Sequence, residues 1–236
     1  MNVVTIIQAR LGSSRLPGKV LMTVGGRSIL EWVVHRVRLA GIPGVVLVAT
    51  SDHPRDDPIE AVCGSVGVPC FRGSEADVLD RYYRAARTRD AEIVVRVTAD
   101  CPLLDPALLA ELVEVHRSEG ADYVTVAVSV RGIAQETLSM NALERSWESA
   151  RLPAEREHVI LYLLEHPDEF KVVMLPPPAE LDRPGWRLTI DTAEDLELLE
   201  GLFETAASPL FDLGAPEIVA IVAGSERLRA LATREP

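Results

Sequence analysis

The sequence predicts an α/β protein, with a mainly parallel mixed sheet flanked by helices and one domain over residues 1–236. Three observations carry this prediction. Short β-branched runs alternate with helical apolar periodicity through the first half of the chain. The first of these runs is apolar throughout, the pattern of a strand covered on both faces. Hydrophobic residues make up 47% of the 236 and charged residues 25%. That is core enough for a chain this long to fold without disulfide or metal staples.

The elements follow in order. Residues 3–7, VVTII, read as the first strand. Residues 28–40 read as a helix, because Ile29, Trp32, Val33, Val37 and Ala40 share one stripe. Ser28 is its N-cap and Gly41 its stop. A strand is predicted at 45–50, a helix at 58–64, a short strand at 68–71 and a helix at 77–89. Next come a strand at 92–98, a helix at 106–119 closed by Gly120, and a strand at 122–128. After about residue 129 the rhythm loosens. Residues 138–151 and 155–166 read as helices, 170–175 as a strand, and 176–185 as a loop holding four prolines and a glycine. Residues 186–190, WRLTI, read as a strand. Thr192 then caps a helix reaching about residue 205, with Glu194 and Asp195 in its favourable first turn. A terminal helix at 216–231, with proline at N1, makes residues 206–236 a helical extension. No linker, repeat or low-complexity segment interrupts the chain.

Composition narrows the partners. No apolar stretch is long enough to span a bilayer. The first ten residues carry no basic n-region and meet Arg10 too early for a signal peptide, so a cytoplasmic protein without a membrane partner is expected. The net charge of −12, from 24 Lys+Arg against 36 Asp+Glu, repels nucleic acid. Cys63, Cys70 and Cys101 are odd in number with no CxxC pair, which reads as reduced and buried. One end departs from the acidic balance. The first acidic residue is Glu31, and Arg10, Arg15, Lys19 and Arg27 all precede it.

Those cations belong to residues 6–21, IIQARLGSSRLPGKVL, a strand followed at once by a glycine-punctuated loop. Gly12 and Gly18 allow close backbone approach. Ser13 and Ser14 add hydroxyl donors, and exposed amides with Arg10, Arg15 and Lys19 suit a polyphosphate. Five residues separate Gly12 from Gly18, and Val20 follows Lys19, so this is not a Walker A loop. Two aspartates lie where open α/β sheets bind ligands. Asp100 follows the 92–98 run and Asp191 follows the 186–190 run. Two carboxylates with phosphate oxygens form a ligand set that suits Mg²⁺. Converging on one site they repel, which is expected to raise the proton affinity of one of them. Taken singly, Asp100 is equally a turn residue and Asp191 a helix cap.

The run QARLGSSRLPGKVL, with segments 48–59, 68–86, 94–106, 155–159 (EREHV) and 188–198, resembles the spore-coat-polysaccharide F-like cytidylyltransferases. These are relatives of the CMP-Kdo and acylneuraminate cytidylyltransferases, and the likeness covers about residues 3–205. The resemblance implies a Rossmann-like nucleotidyltransferase (GT-A-like) fold and a homodimer. It also implies Mg²⁺-dependent transfer of CMP from CTP to an acidic sugar or similar acidic small molecule. Gln8, Ala9, Arg72 and Gly73 would then face the nucleoside, with Asp77 nearby. Arg10, Ser13 and Lys19 would hold the triphosphate, Arg10 and Lys19 acting catalytically. Asp100 and Asp191 would bind the metal. Residues 129–170 would form the acceptor and dimer elaboration, with Glu136, Arg156 and His158 toward the acceptor. The chain departs from the family pattern at Ala134, where the family usually has Asp, and at Ile160-Leu161, where it often has Thr-Pro. Three alternatives stay open: a glycosyltransferase, a sugar-phosphate nucleotidyltransferase on the same fold, and a nucleotide-binding module without turnover. The absence of an Asp-x-Asp pair weighs against the first.

Overall fold

A computed structural model describes residues 1–127 and 130–234. The strands are β1 (Val3–Gln8), β2 (Thr23–Val24), β3 (Arg27–Ser28), β4 (Val45–Ser51), β5 (Cys70–Gly73), β6 (Ile93–Thr98), β7 (Tyr123–Val126), β8 (Glu136–Ser139) and β9 (Val172–Leu175). The helices are α1 (Ile29–Leu39), α2 (Asp57–Val66), α3 (Val78–Arg87), α4 (Pro106–Glu119), α5 (Met140–Ser149), α6 (Pro153–Glu157), α7 (Leu161–Glu165), α8 (Ala193–Thr205), α9 (Ala215–Gly224) and α10 (Glu226–Ala232).

Seven strands form one sheet in the order β5-β4-β1-β6-β8-β7-β9, and β2 and β3 make a separate antiparallel ribbon. β1 lies in the interior of the sheet, parallel to β4 on one side and to β6 on the other. Its side chains alternate between the two faces, as strand geometry requires. Val3 and Ile7 join a core with α1, α2 and α4 residues such as Val33, Ile59 and Leu109. Val4 and Ile6 join a core on the other face with Leu79 and Tyr82 of α3 and Leu143 of α5. A further core packs Trp32 of α1 against Leu198 and Leu202 of α8, Ile218 and Val222 of α9, and Leu228 of α10. The C-terminal helices therefore share a core with the N-terminal half.

Five sequence expectations are corrected. Leu138 and Ser139 are not helical but end β8, which lies antiparallel between β6 and β7. Its four-residue ETLS carries too little periodicity to separate from the helix that follows. Residues 155–166 form two short helices, broken at residues 158–160. Residues 186–190 join no strand: only Arg187 makes an isolated bridge, to Arg131. Here β-branched content reflects burial rather than pairing, since Leu188 and Ile190 are buried without a ladder. The terminal helix breaks at Ser225, whose side chain caps α10 by accepting from the Leu228 amide. The predicted strand at 122–128 ends at Val126, and Val128 lies outside the described residues.

One buried group makes stability pH-dependent. His116 of α4 is 3% exposed, and its Nδ1 pairs with Thr137 Oγ1 of β8 at 2.9 Å. Burial pushes its pKa down to about 4, with Asp122 opposing weakly. The unfolded chain, with an ordinary histidine, binds the proton more tightly. Stability should therefore be full above about pH 6.5 and fall by about 3 kcal/mol as pH drops toward 4. Urea titrations across that range check this. His116→Gln should flatten the contribution, and an unchanged slope would show that His116 is not its source.

Candidate active site

The basic loop is built by its closures. Gly18 adopts φ +76°, a left-handed conformation that favours glycine. Its amide donates to Leu11 O at 3.0 Å, folding residues 11–18 back on themselves. The Leu11 amide donates to Asp56 Oδ1 at 2.8 Å, and fully buried Asp56 also accepts from the Ser51 hydroxyl. The amides of Gly12, Ser13, Ser14 and Arg15 meet no acceptor among the described residues, so the loop presents open donors. An anion is the ligand such a row of amides satisfies.

Lys19 enters from the end of this loop. Its Nζ donates to Asp191 Oδ1 at 2.8 Å, Asp100 Oδ2 at 3.1 Å and Ile190 O at 2.7 Å. Asp100 lies just past β6, and Asp191 just before α8. The Ile190 amide donates to Asp100 O at 2.8 Å, which fastens the two segments together. Arg15 Nη2 lies 3.1 Å from Asp191 Oδ1, and Arg187 Nη1 lies 3.8 Å from its Oδ2. Burial pushes the Asp191 carboxyl up, but the Lys19 hydrogen bond and the charges of Lys19, Arg15 and Arg187 outweigh it. The result is a carboxyl held below its ordinary range. The expected repulsion between two carboxylates is thus corrected: an ammonium stands between them.

Two cavities meet at this point. One, of about 230 Å³, is lined by Gln8, Arg10, Ser13, Ser14, Arg15 and Lys19. The other, of about 620 Å³, extends along β6, β7 and β8 and includes Arg96, Arg131, Ala134 and Glu136 in its wall. Thr98, Asp100 and Asp191 line both. A ligand in either cavity therefore abuts the same carboxylates.

Not every sequence-predicted residue reaches these cavities. Ala9 is buried, its amide bonded to Ala49 O at 3.2 Å. Gly12 backs onto Arg55 and Glu75. Arg72 bonds to Ser51 O and His53 O, both at 3.0 Å, and pairs with Asp57 and Glu60, tying β5 to α2. Gly73 packs against Arg81 and Phe71. Asp77 caps α3 and accepts from Arg156 Nε at 2.9 Å, so these two residues, expected at different ligands, partner each other. His158 is exposed at the end of α6, outside both cavities. Arg10 lies 3.6 Å from Glu157 of α6, which brings that helix beside the loop. Glu136 does line the larger cavity, held by Arg96 and the Tyr123 hydroxyl.

The sequence reading missed three anchors. Asp56 carries no signal beyond an acidic pair ahead of Pro58. Arg96 looks out of place in an apolar strand, and that was its only sign. Arg187 and Asp195 form a buried pair behind Asp191, although the capping pattern at Thr192 already marked Asp195.

A family profile described as cytidylyltransferase matches residues 4–218. The chain belongs to the cytidylyltransferase family. The spore coat polysaccharide biosynthesis protein SpsF of Bacillus subtilis is 37% identical over 226 residues, 94% of each chain. The 3-deoxy-manno-octulosonate cytidylyltransferase of Tolumonas auensis is 31% identical over 61% of this chain and 56% of its own. A solved cytidylyltransferase from Leptospira borgpetersenii serovar Hardjo-bovis matches with a TM-score of 0.89 at 32% identity, covering 100% of this chain and 98% of that one. This cytidylyltransferase is therefore a nucleotidyltransferase enzyme with the mostly parallel, helix-flanked sheet of its relatives. Among its described residues no helix is long and apolar enough to cross a membrane.

Proposed function

We propose that this cytidylyltransferase transfers CMP from CTP to a hydroxyl of an acidic sugar or similar small acid, releasing pyrophosphate. The observation that carries the reading is the Lys19 ammonium, held by Asp100 and Asp191 where the two cavities meet. The smaller cavity has the chemistry of a triphosphate site: open amides, two serine hydroxyls and the cations of Arg10, Arg15 and Lys19. The larger one suits the acceptor, whose attacking oxygen would approach past Asp100 and Asp191. An acidic acceptor is supported by the exposed Arg131 in that wall and by the sugar acid named for the Tolumonas auensis relative. With Ala134 in place of the family's usual Asp, that wall carries one charge fewer, which favours an acceptor with a less polar face there.

The reaction needs one bond made and one broken. The acceptor oxygen attacks the α-phosphorus in line, the bond to the β-phosphate oxygen breaks, and the hydroxyl proton leaves to solvent or a nearby base. Charge grows on the bridging and leaving oxygens as this happens. Arg10, Arg15 and Lys19 stabilise it from fixed positions, which costs no reorganisation during the step. The residues also fit Mg²⁺. Three oxygens converge on a cationic nitrogen at 2.7–3.1 Å, and two of them are carboxylates, the hard donors this ion prefers. Asp100 and Asp191 would hold it, and it would neutralise phosphate charge.

Pyrophosphate release with each nucleoside triphosphate tests the reading. With sugar acids as acceptors, CTP should exceed UTP, ATP and dTTP by at least about tenfold in kcat/KM, the discrimination that one or two base-directed hydrogen bonds supply. Equal turnover with UTP or dTTP would move the protein to the sugar-phosphate nucleotidyltransferases. Turnover only with neutral sugars would remove the acidic acceptor.

A further inference from the structure

We infer that Asp195, with Arg187 bonded to it, is a positioning residue that fixes Asp191 from behind. Asp195 is 3% exposed and all of its contacts are internal. Its Oδ2 accepts from the Asp191 amide and from the Thr192 amide, both at 2.8 Å. Its Oδ1 takes Arg187 Nη2 at 2.5 Å. A helix cap needs only the Thr192 contact. The bond to the Asp191 amide and the buried ion pair go beyond capping, and both act on the residue that faces the two cavities.

Arg187 explains why the pair is charged. It is 5% exposed, and its Nε and Nη1 meet no hydrogen-bond partner among the described residues. Nη1 stops 3.8 Å from Asp191 Oδ2, within ion-pair range but beyond a hydrogen bond. Asp195 therefore holds the guanidinium at a standoff. Closer, it would engage Asp191 Oδ2 and turn the carboxylate away from the cavities. Farther, the guanidinium would no longer face the Asp191 carboxylate from behind. The Arg187 backbone is fixed too: its amide donates to Ala232 O at 2.8 Å, and its neighbours Trp186 and Leu188 bond to Arg131. The distance from guanidinium to carboxylate is thus set by a frame reaching the end of α10. Replacing Asp195 with a neutral group frees the guanidinium to close on Asp191, because a buried charge that loses its partner takes the nearest acceptor.

The inference rests on the proposed metal role of Asp191, and its test separates the two. Mn²⁺ affinity is measured by electron paramagnetic resonance in the presence of the α,β-methylene analogue of CTP, alongside steady-state kinetics with CTP. Wild type is compared with Asp195→Asn, Arg187→Lys, Thr192→Ala and Asp191→Asn. Thr192→Ala removes a cap contact without touching Asp191 and controls for lost helix stability. Asp195→Asn should bind Mn²⁺ at least tenfold more weakly than Thr192→Ala and lower kcat at least tenfold, with KM for CTP within about twofold. Arg187→Lys, which keeps the charge but loses the fork, should fall between them and serves if Asp195→Asn does not fold. Asp195→Asn or a folded Arg187→Lys matching Thr192→Ala in both Mn²⁺ affinity and kcat overturns the positioning role. If Asp191→Asn itself binds Mn²⁺ as tightly as wild type, the metal assignment falls and the inference falls with it.

Discussion

Lys19→Ala is expected to lower turnover by roughly 10²-fold or more, about 2.7 kcal/mol of lost transition-state stabilisation. A preorganised cation aimed at the phosphates is worth that much when its position is fixed before reaction. The Lys19 stem is so held in the wall of the smaller cavity, its side chain only 10% exposed, and its ammonium needs only a short swing from the carboxylates to meet the phosphates. A second effect should run the other way. The ammonium fills the position between the carboxylates, so divalent metal and Lys19 compete for the same oxygens. Wild type should bind Mn²⁺ weakly until a nucleotide draws Lys19 toward its phosphates, whereas Lys19→Ala should bind Mn²⁺ more tightly without nucleotide. The variant should also lose thermal stability, since two part-buried carboxylates are left without their main counter-charge. Near-wild-type turnover in a folded Lys19→Ala protein would remove Lys19 from the mechanism.

Asp191→Asn and Asp100→Asn are each expected to reduce turnover to background in the pyrophosphate assay while leaving the circular dichroism spectrum unchanged. Asparagine keeps the shape of each side chain but loses the charge that attracts both Lys19 and a divalent cation. The fold should tolerate it, because the backbone ties at these positions run from Ile190 to Asp100 and from Asp191 to Asp195. The two carboxylates differ in their partners: Lys19 and Arg15 hydrogen-bond or pair with Asp191, whereas Lys19 and the Cys101 thiol reach Asp100. A crystal soaked with CTP and Mg²⁺ checks the same point directly. Metal density touching neither carboxylate, or full activity in Asp191→Asn, would return Asp191 to a plain position at the start of α8.

What the sequence made legible was local. The strand at residues 3–7, the capped helix after Ser28 and the 106–119 helix each carry their signals within a few residues, and the structure forms them there. The basic loop was legible for the same reason. Its polar and basic side chains, Arg10, Ser13, Ser14, Arg15 and Lys19, line one cavity, and the turn at Gly18 closes the loop beside it. Long-range partners were not legible. Nothing in the sequence joins Lys19 to Asp191, Asp77 to Arg156, or Asp56 to the Leu11 amide. Residues 186–190 show the same limit from the other side. Their β-branched pattern was read as a strand, but they run past the sheet and bond to Arg131, Asp100 and the end of α10. The motif that points Arg72 at the nucleoside gives no sign that its guanidinium fastens β5 to α2.

The interior position of β1 has a consequence for how the enzyme comes into being on the ribosome. β1 is made before both of its neighbours: it has no lasting partner until β4 emerges some forty residues later, and its other edge stays open until Ile93 can pair with Val3. Parallel neighbours demand such crossovers, and contacts of this span form slowly. Lys19 waits longer still, since Asp191 follows it by 172 residues. A nascent chain of about 185 residues has every strand of the sheet and the Asp100 partner of Lys19, yet lacks Asp191, the partner that Lys19 and Arg15 share. The two-carboxylate seat of Lys19 is therefore completed late, and a product truncated before Asp191 keeps the sheet but only half of that seat.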